Sequence, residues 1–457
     1  MENIKENKMG ILPVNRLILS MSVPMMVSML IQSLYNIVDS IFVAQINEEA
    51  LTAVSLAFPV QNLLIAVQVG TGVGMNALLS RQLGEKNKAA ADRTAANGVF
   101  LALAHYAVFL VLGLTAVTLF FRTQTTDPVI LNYGKTYLMI VMCFSIGQFI
   151  QVTYERLLQS TGQTIYTMYT QGLGAIINII LDPIFIFGLL GFPKMGMAGA
   201  AWATVIGQVI AASAAIYFHH RKNTELSIDY KSFKPDKKTI KGIYNVGIPS
   251  MVMVSITSVT TYSLNVILMT FSSTATAVYG VYYKLQSFVF MPVFGLNNGM
   301  IPILAYNYGA RKKERMVKII AYSIAYAMGI MLFGLVIFQV FPEQLLNLFN
   351  ASPEMMTIGM PALRTISLSF ILAGFSVICS TVYQAFGRGF LSLAISVCRQ
   401  LVVLVPAAYL FSLSGNIKLV WWSYPIAELI SAVLCVIFLR YIYKKYIKNI
   451  NTQSILR

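Results

Sequence analysis

The chain has 457 residues, of which 57% are hydrophobic and 11% are charged, and its formal net charge is +16. A soluble globular domain carries about 25% charged residues because its surface faces water, so this composition excludes an ordinary water-soluble protein. The mean hydropathy of +0.70 indicates that most of the surface faces lipid.

Twelve apolar stretches follow one another along the chain, each long enough for a helix that crosses a membrane, since about 20 mainly apolar residues span roughly 30 Å of hydrocarbon. Strands of a membrane barrel would alternate apolar and polar residues, and stretches such as Leu63–Val69 do not. We therefore predict an all-α membrane protein of about twelve transmembrane helices in two pseudo-symmetric six-helix bundles. The predicted spans are residues 17–44, 51–79, 95–121, 133–160, 165–191, 196–219, 243–271, 276–306, 317–341, 358–386, 390–412 and 418–440.

The first apolar stretch is predicted to be a retained span. It contains Asp39, is longer than the 7–15 apolar residues of a signal peptide, and is followed by no A-x-A-like cleavage site.

Most of the 33 Lys and Arg residues lie at the two termini and in the even-numbered connections. Cytoplasmic loops carry such an excess, so we predict a multi-pass protein of the bacterial plasma membrane with both termini and the basic segment 221–241 in the cytoplasm. The basic charge thus indicates topology and not nucleic-acid binding. The few basic residues of the other side are Arg122, Lys135, Lys194, Arg364 and Lys418.

The two halves of the chain match at a constant offset of 225 residues. Six spans fit within this offset, and because six is even, both halves have the same orientation, related by an axis along the membrane normal. We predict an N-terminal bundle at 1–220, a cytoplasmic linker at 221–241 and a C-terminal bundle at 242–457, with substrate between the bundles and transport by rocking. After the fifth span the offset shortens to 220. The matched pairs include Pro24 with Pro249, Gly74 with Gly299, Gly84 with Gly309 and, at the shorter offset, Trp202 with Trp422.

Four acidic residues fall inside the predicted spans: Asp39, Glu155, Asp182 and Glu428. An ionised carboxylate at the centre of a membrane costs about 2.5–3.5 kcal/mol on insertion scales, so such residues usually act in function or pair with another group. A carboxyl group that gains and loses a proton inside a cavity provides the chemistry of proton coupling.

Three of these acids continue polar stripes along one helix face, where residues three or four positions apart are neighbours. Polar faces on three spans of one half are expected to line a shared wet cavity, because lipid would penalise each of them. The stripes are Gln32, Tyr35, Asn36 and Asp39 in the first span, Gln148, Gln151 and Glu155 in the fourth, and Gln171, Asn178 and Asp182 in the fifth.

We predict that Asp39 and Asp182 share a proton or cation in the external part of the first bundle. Glu155 is predicted to take part in coupling, with an interfacial acid held by the adjacent Arg156 as the alternative. Two residues mark a possible site in the second half: Glu428, which alternatively bonds across helices or to backbone, and Lys284, which either extends to the headgroups or pairs with an acid.

Enzyme function is not expected. The chain has three His residues and four isolated Cys residues, and it contains no GxSxG, HExxH or GxxxxGK[ST] motif. We therefore predict no metal and no cofactor apart from H⁺ or Na⁺ as the coupling ion. A receptor or channel is disfavoured because neither needs duplicated halves.

The local patterns together resemble the MATE family of multidrug and toxic compound extruders, in its MepA-like bacterial branch. The resemblance covers the whole chain and implies a V-shaped pair of bundles that exports lipophilic, often cationic organic compounds by cation antiport, as a monomer in contact with membrane lipid. It also implies the coupling role for Asp39 and Asp182, with Tyr35, Asn36 and Asn178 in the same network. The patterns are SVPMMVSMLIQSLYNIVDSIFVAQ, RQLGEKNKAAADR, LLQSTGQ and NIILDPIFIFGLLG.

Some sodium-coupled members of that family have acids in their seventh and tenth spans. The corresponding spans here have none, which favours H⁺ over Na⁺. The alternative function is a dedicated metabolite exporter or a lipid-linked flippase of the same superfamily.

Overall fold

The computed structural model describes residues 6–229 and 233–450, and within these ranges the regular structure is helical, without strands. Among the described residues, ten helices are each long and apolar enough to cross a membrane, and the number is twelve if each of two bent helix pairs forms one span. The predicted all-α membrane fold is confirmed.

The helices of the first half are α1 (Lys8–Ile11), α2 (Val14–Ala44), α3 (Glu48–Gly84), α4 (Lys88–Thr115), α5 (Val117–Gln124), α6 (Pro128–Cys143), α7 (Ile146–Ser160), α8 (Thr164–Phe187) and α9 (Met197–Lys222). Those of the second half are α10 (Lys237–Met269), α11 (Ser273–Gly309), α12 (Lys313–Val340), α13 (Pro342–Asn347), α14 (Pro353–Ser367), α15 (Phe370–Ala385), α16 (Gly389–Val397), α17 (Val405–Ser412), α18 (Ile417–Trp421) and α19 (Ser423–Ile442). Two π-helical segments, π1 (Cys398–Leu404) and π2 (Tyr443–Ile447), follow α16 and α19.

The predicted fourth and tenth spans are each made of two helices. The α6–α7 pair bends by 46° and the α14–α15 pair by 48°. Each helix pair therefore changes direction at a short break between its two helices.

Contacts divide the chain into two compact units, one of residues 27–247 and the other of residues 1–26 with 248–457. The first part of α2 thus packs with helices of the second half, and the first part of α10 packs with helices of the first half. The boundaries predicted at 220 and 242 stay a prediction about how the spans are grouped into bundles.

Close packing of α8 on α9 positions the polar residues of the first unit. A Cβ at Gly207 would lie 2.9 Å from the carbonyl oxygen of Gly174, so the two glycines let the helix backbones approach. This approach brings Asn178 of α8 beside Thr204 of α9, with 3.2 Å between the amide and the hydroxyl.

Candidate functional site

The side chains of Asp39 on α2 and Asp182 on α8 lie close together and interact electrostatically. Asp182 is fully buried. The Oδ1 atom of each residue is enclosed and has no hydrogen-bond partner within the described part of the chain. Two touching carboxylates repel each other when both are ionised, so this contact requires a proton or a cation to stabilise it.

Asn178 connects the carboxyl pair to α9. With its amide oriented to satisfy both neighbours, Nδ2 donates to Asp182 Oδ2 at 2.8 Å, and Oδ1 accepts from the backbone N–H of Thr204 at 3.1 Å. The hydroxyl of Tyr35 lies close to the side chain of Thr204. The Asn178 amide therefore connects Asp182 of α8 with Thr204 of the neighbouring α9.

A second contact set faces the same acids from α6 and α3. Gln61 Nε2 donates to the hydroxyl oxygen of Tyr137 at 3.0 Å, and this tyrosine interacts electrostatically with both Asp39 and Asp182. Polar residues of α2, α3, α6 and α9, together with Asn178 of α8, thus surround the carboxyl pair.

A cavity of about 120 Å³ lies in the same unit, between α2, α7, α8 and α9. Its polar lining consists of amides, hydroxyls and one carboxylate, and contains no Lys or Arg. Tyr35, Asn178 and Thr204 belong both to this lining and to the surroundings of the carboxyl pair. The polar lining residues are Gln32, Tyr35, Gln148, Gln151, Glu155, Gln171, Asn178, Thr204 and Gln208.

Glu155 is buried in the wall of this cavity, with 3% of its surface exposed. Its carboxylate accepts from Gln151 Nε2 at 3.0 Å, from the Thr170 hydroxyl at 2.8 Å and from Gln171 Nε2 at 2.8 Å. The neighbouring Arg156 donates to Gln159 Oε1 at 2.8 Å and interacts with Glu155 electrostatically. The hydrogen-bond donors that reach the Glu155 carboxylate are neutral side chains.

The structure leaves three of the predicted residues apart from this cluster. Asn36 is exposed and does not line the cavity. Glu428, in the other unit, forms an ion pair with Arg399 Nη1 at 3.0 Å. Lys284 is exposed, and its ammonium lies 5.9 Å from the ring centroid of Phe349. Lys284 takes part in none of the ion pairs formed by the described residues.

Sequence reasoning did not identify Gln61, Tyr137, Thr204 or Gln208 as parts of the site. Gln61 and Tyr137 are single neutral residues in apolar spans, whereas Thr204 and Gln208 lie four positions apart on one face of α9 and form only a short polar pair. The GxxxG-like small-residue run around Gly207 was the available signal for Thr204, because it predicts a close helix contact there.

The family comparison identifies the class of protein. The MatE family matches residues 24–184 and 249–410, two segments that begin 225 residues apart and together cover more than half of the chain. The chain therefore belongs to the MATE family of membrane transporters. It is a multi-pass bacterial membrane transporter and not an enzyme.

Individual relatives cover nearly the whole chain. The multidrug export protein MepA of Staphylococcus haemolyticus is 30% identical and aligns over 90% of each chain. A FAD transporter of Shewanella oneidensis is 26% identical over 93% of this chain and 94% of its own. A solved structure, an outward-facing multidrug resistance MATE transporter of the MOP superfamily, is 27% identical, has a TM-score of 0.90, and covers 96% of this chain and 98% of that one.

Proposed function

We propose that this protein exports lipophilic organic cations in exchange for protons, with Asp39 and Asp182 as the coupling pair. The observation that carries the proposal is the contact between two carboxyl groups, each with an enclosed and unpartnered oxygen, beside a cavity whose only ionisable acid is Glu155. The names of the relatives, several of which are multidrug export proteins, support multidrug efflux.

Proton exchange follows from the chemistry of the pair. A hydrogen bond between two carboxyl groups needs a proton between their oxygens, because ionised carboxylates only accept. This requirement favours H⁺ over Na⁺ as the coupling ion. Loss of that proton leaves adjacent negative charges, and the resulting repulsion is the free energy available for a conformational change.

Asn178 is the group through which proton occupancy reaches the cavity. It donates to Asp182 and also lines the cavity. When Asp182 gains or loses its proton, the hydrogen bonds of Asn178 and Thr204 change. Because both residues line the cavity, the polar surface that contacts the transported compound changes as well. Antiport requires that proton and compound favour different states of the same site, and a shared amide meets that requirement.

The lining chemistry favours cationic over anionic compounds. Glu155 provides a buried negative charge, and none of the residues lining this cavity is Lys or Arg. The FAD transporter relative suggests an anionic substrate as the second candidate function. A dinucleotide phosphate would find no positive partner in this cavity, so we rank cation export first.

The test uses purified protein in proteoliposomes with a fluorescent lipophilic cation, and a pH gradient or a Na⁺ gradient applied separately. We expect the pH gradient to drive dye movement, and Asp39→Asn and Asp182→Asn to reduce gradient-driven transport at least tenfold. Glu428→Gln, a buried acid of the other unit, is the matched control and is expected to retain transport.

Three results would contradict parts of the proposal. Dye movement that needs no gradient, or that both Asn variants leave unchanged, removes the coupling role. Movement driven by Na⁺ alone replaces H⁺ as the ion. Uptake of FAD by the same vesicles, with no effect of the cation as a competitor, favours the metabolite exporter.

A further inference from the structure

A long groove lies on the surface of the unit formed by residues 1–26 and 248–457, between α12 and the last helix. The groove has a volume of about 440 Å³, which is within the range of roughly 300–1,000 Å³ for small-molecule sites. One wall is an aliphatic stripe of α12, formed by Val317, Ile320, Ala321 and Ile324 at helical spacing.

The facing wall is formed by α19 and π2. Val436 and Leu439 provide the apolar part, and Ile447 closes it near the C-terminal end. At that end, Lys313 Nζ donates to the carbonyl oxygen of Lys448 at 2.9 Å, which ties the start of α12 to the last described turn. The groove is therefore closed near the C-terminal side of the membrane, and apolar away from it.

Two basic residues lie on the wall at the closed end. Arg440 and Lys444 are four positions apart on one helix face, and both are exposed. No acidic residue lines the groove, and the ion pairs of the described residues include neither cation. Tyr443 lies between them in the lining, as expected of an aromatic residue at the headgroup level.

We infer that this groove binds a phospholipid with an anionic headgroup, from the leaflet on the side of the C-terminus. The acyl chains lie along the aliphatic stripe of α12, and the headgroup phosphate meets Arg440 and Lys444. Charge complementarity selects the occupant: an apolar groove at membrane depth accepts any acyl chain, whereas two unpaired cations at its end favour a negatively charged headgroup.

The test measures lipid binding to the purified, delipidated protein in detergent, by native mass spectrometry. The probes are phosphatidylglycerol and phosphatidylcholine with identical acyl chains. We expect tighter binding of phosphatidylglycerol, and we expect R440Q/K444Q to weaken it about thirtyfold, since each basic residue near a headgroup contributes about fivefold.

A matched pair controls for net charge. K237Q/K238Q removes two exposed cations from the start of α10, far from the groove in sequence, and leaves the backbone cap intact because Asp236 accepts from the backbone N–H of Lys238. This variant is expected to bind phosphatidylglycerol like the unmodified protein. Equal weakening by both pairs, or no weakening by R440Q/K444Q, would overturn the proposal.

A second pair tests the apolar groove itself. Ala321→Trp fills the groove, while Ala325→Trp places the same side chain on the same helix outside the lining. We expect Ala321→Trp to abolish the tightest binding of both lipids, which we assign to the groove. We expect Ala325→Trp to leave that binding unchanged. Retained binding in Ala321→Trp would show that the lipid lies elsewhere.

Discussion

Glu155 shows how neutral hydrogen-bond donors hold a buried carboxyl group in a membrane protein. Three neutral donors from its own helix and from α8 reach its two carboxylate oxygens. Hydrogen bonds to an ionised group contribute about 1.5–3 kcal/mol each, so together they offset much of the desolvation. The charge thus stays available to a cation that enters the cavity.

We predict that Glu155→Gln weakens the binding of cationic compounds about tenfold and leaves the binding of a neutral compound of similar shape unchanged. The substitution removes one negative charge in a low-dielectric cavity while it preserves side-chain volume. Binding of a cationic and a neutral fluorescent dye to purified protein measures both effects.

Glu428→Gln is the control for that experiment, because it removes a buried acid that pairs with Arg399 instead of facing the cavity. It is expected to change neither affinity. Equal weakening of both dyes by Glu155→Gln would indicate a change in cavity shape and not in charge.

At the scale of single residues, the sequence identified the buried acids and the polar faces of single helices. It did not show which residues of other helices contact them. Gln32, Gln148, Gln151 and Gln171 were predicted to face one cavity, and the structure places them in the lining of one cavity. Tyr137 was missed because a tyrosine in an apolar span is equally typical of a lipid-facing belt. Only helix packing decides which of these two environments it occupies.

Helices of the two halves repeat in length as well as position. Both α3 and α11 have 37 residues, and both α4 and α12 have 28. The caps repeat with different residues: Asn47 accepts from the N–H of Ala50, and Ser272, 225 positions later, accepts from that of Ala275. Because Asn and Ser are both good N-caps, the helix starts are retained although the residues differ.

The bends in α6–α7 and α14–α15 also occur at equivalent positions. The Ser145 hydroxyl donates to the carbonyl of Met142 at 2.8 Å, and the Ser369 hydroxyl donates to that of Ile366 at 2.6 Å. A side-chain donor to a helix carbonyl competes with the backbone ladder and bends the helix. The sequence did not predict these bends, since a lone serine in an apolar span usually leaves a helix straight.

Close helix contacts make one glycine substitution informative. A Cβ at Gly74 of α3 would lie 2.1 Å from the carbonyl oxygen of Ile243 on α10, a distance that forces the helices apart. We predict that Gly74→Ala destabilises the protein by about 1–3 kcal/mol, as for overpacking elsewhere. Thermal unfolding in detergent measures the loss as a lower midpoint.

Gly280→Ala is the matched control, because nothing lies within 4 Å of a Cβ at that position of α11. Alanine is the better helix former by up to about 1 kcal/mol, so this variant is expected to be as stable as the unmodified protein or slightly more stable. A similar midpoint for both variants would mean that α3 and α10 are not held in contact at Gly74.

For the whole molecule, the sequence predicted the repeat and an all-α fold of about twelve spans, and the bundle boundaries at 220 and 242 stay a prediction. Residues 7–26 pack with the second half through contacts such as Asn307 Nδ2 to the carbonyl of Met9, at 2.9 Å. Likewise Asp236 donates its backbone N–H to Asn97 at 3.0 Å within the other unit. Hydropathy cannot show that the first parts of α2 and α10 pack with helices of the opposite half of the chain, because both parts of each of these long helices are apolar.

The charge distribution predicts the orientation of the molecule, and this prediction is open to direct measurement. Basic residues accumulate on the side of the termini, and cytoplasmic loops carry such an excess because Lys and Arg resist translocation. Lys194 lies on the opposite side, in the segment between α8 and α9, and Lys238 lies at the start of α10, on the side of the termini; both are exposed.

In a background with the four native cysteines replaced by alanine, Lys194→Cys is expected to react with a membrane-impermeant maleimide in intact cells. Lys238→Cys is expected to react only after the membrane is permeabilised. The opposite pattern would invert the orientation, and the leaflet for the lipid groove at Arg440 and Lys444 would invert with it. Anionic lipid selection then acts in the outer leaflet, while the carboxyl pair and its cavity keep their geometry, so orientation and coupling are separable by these measurements.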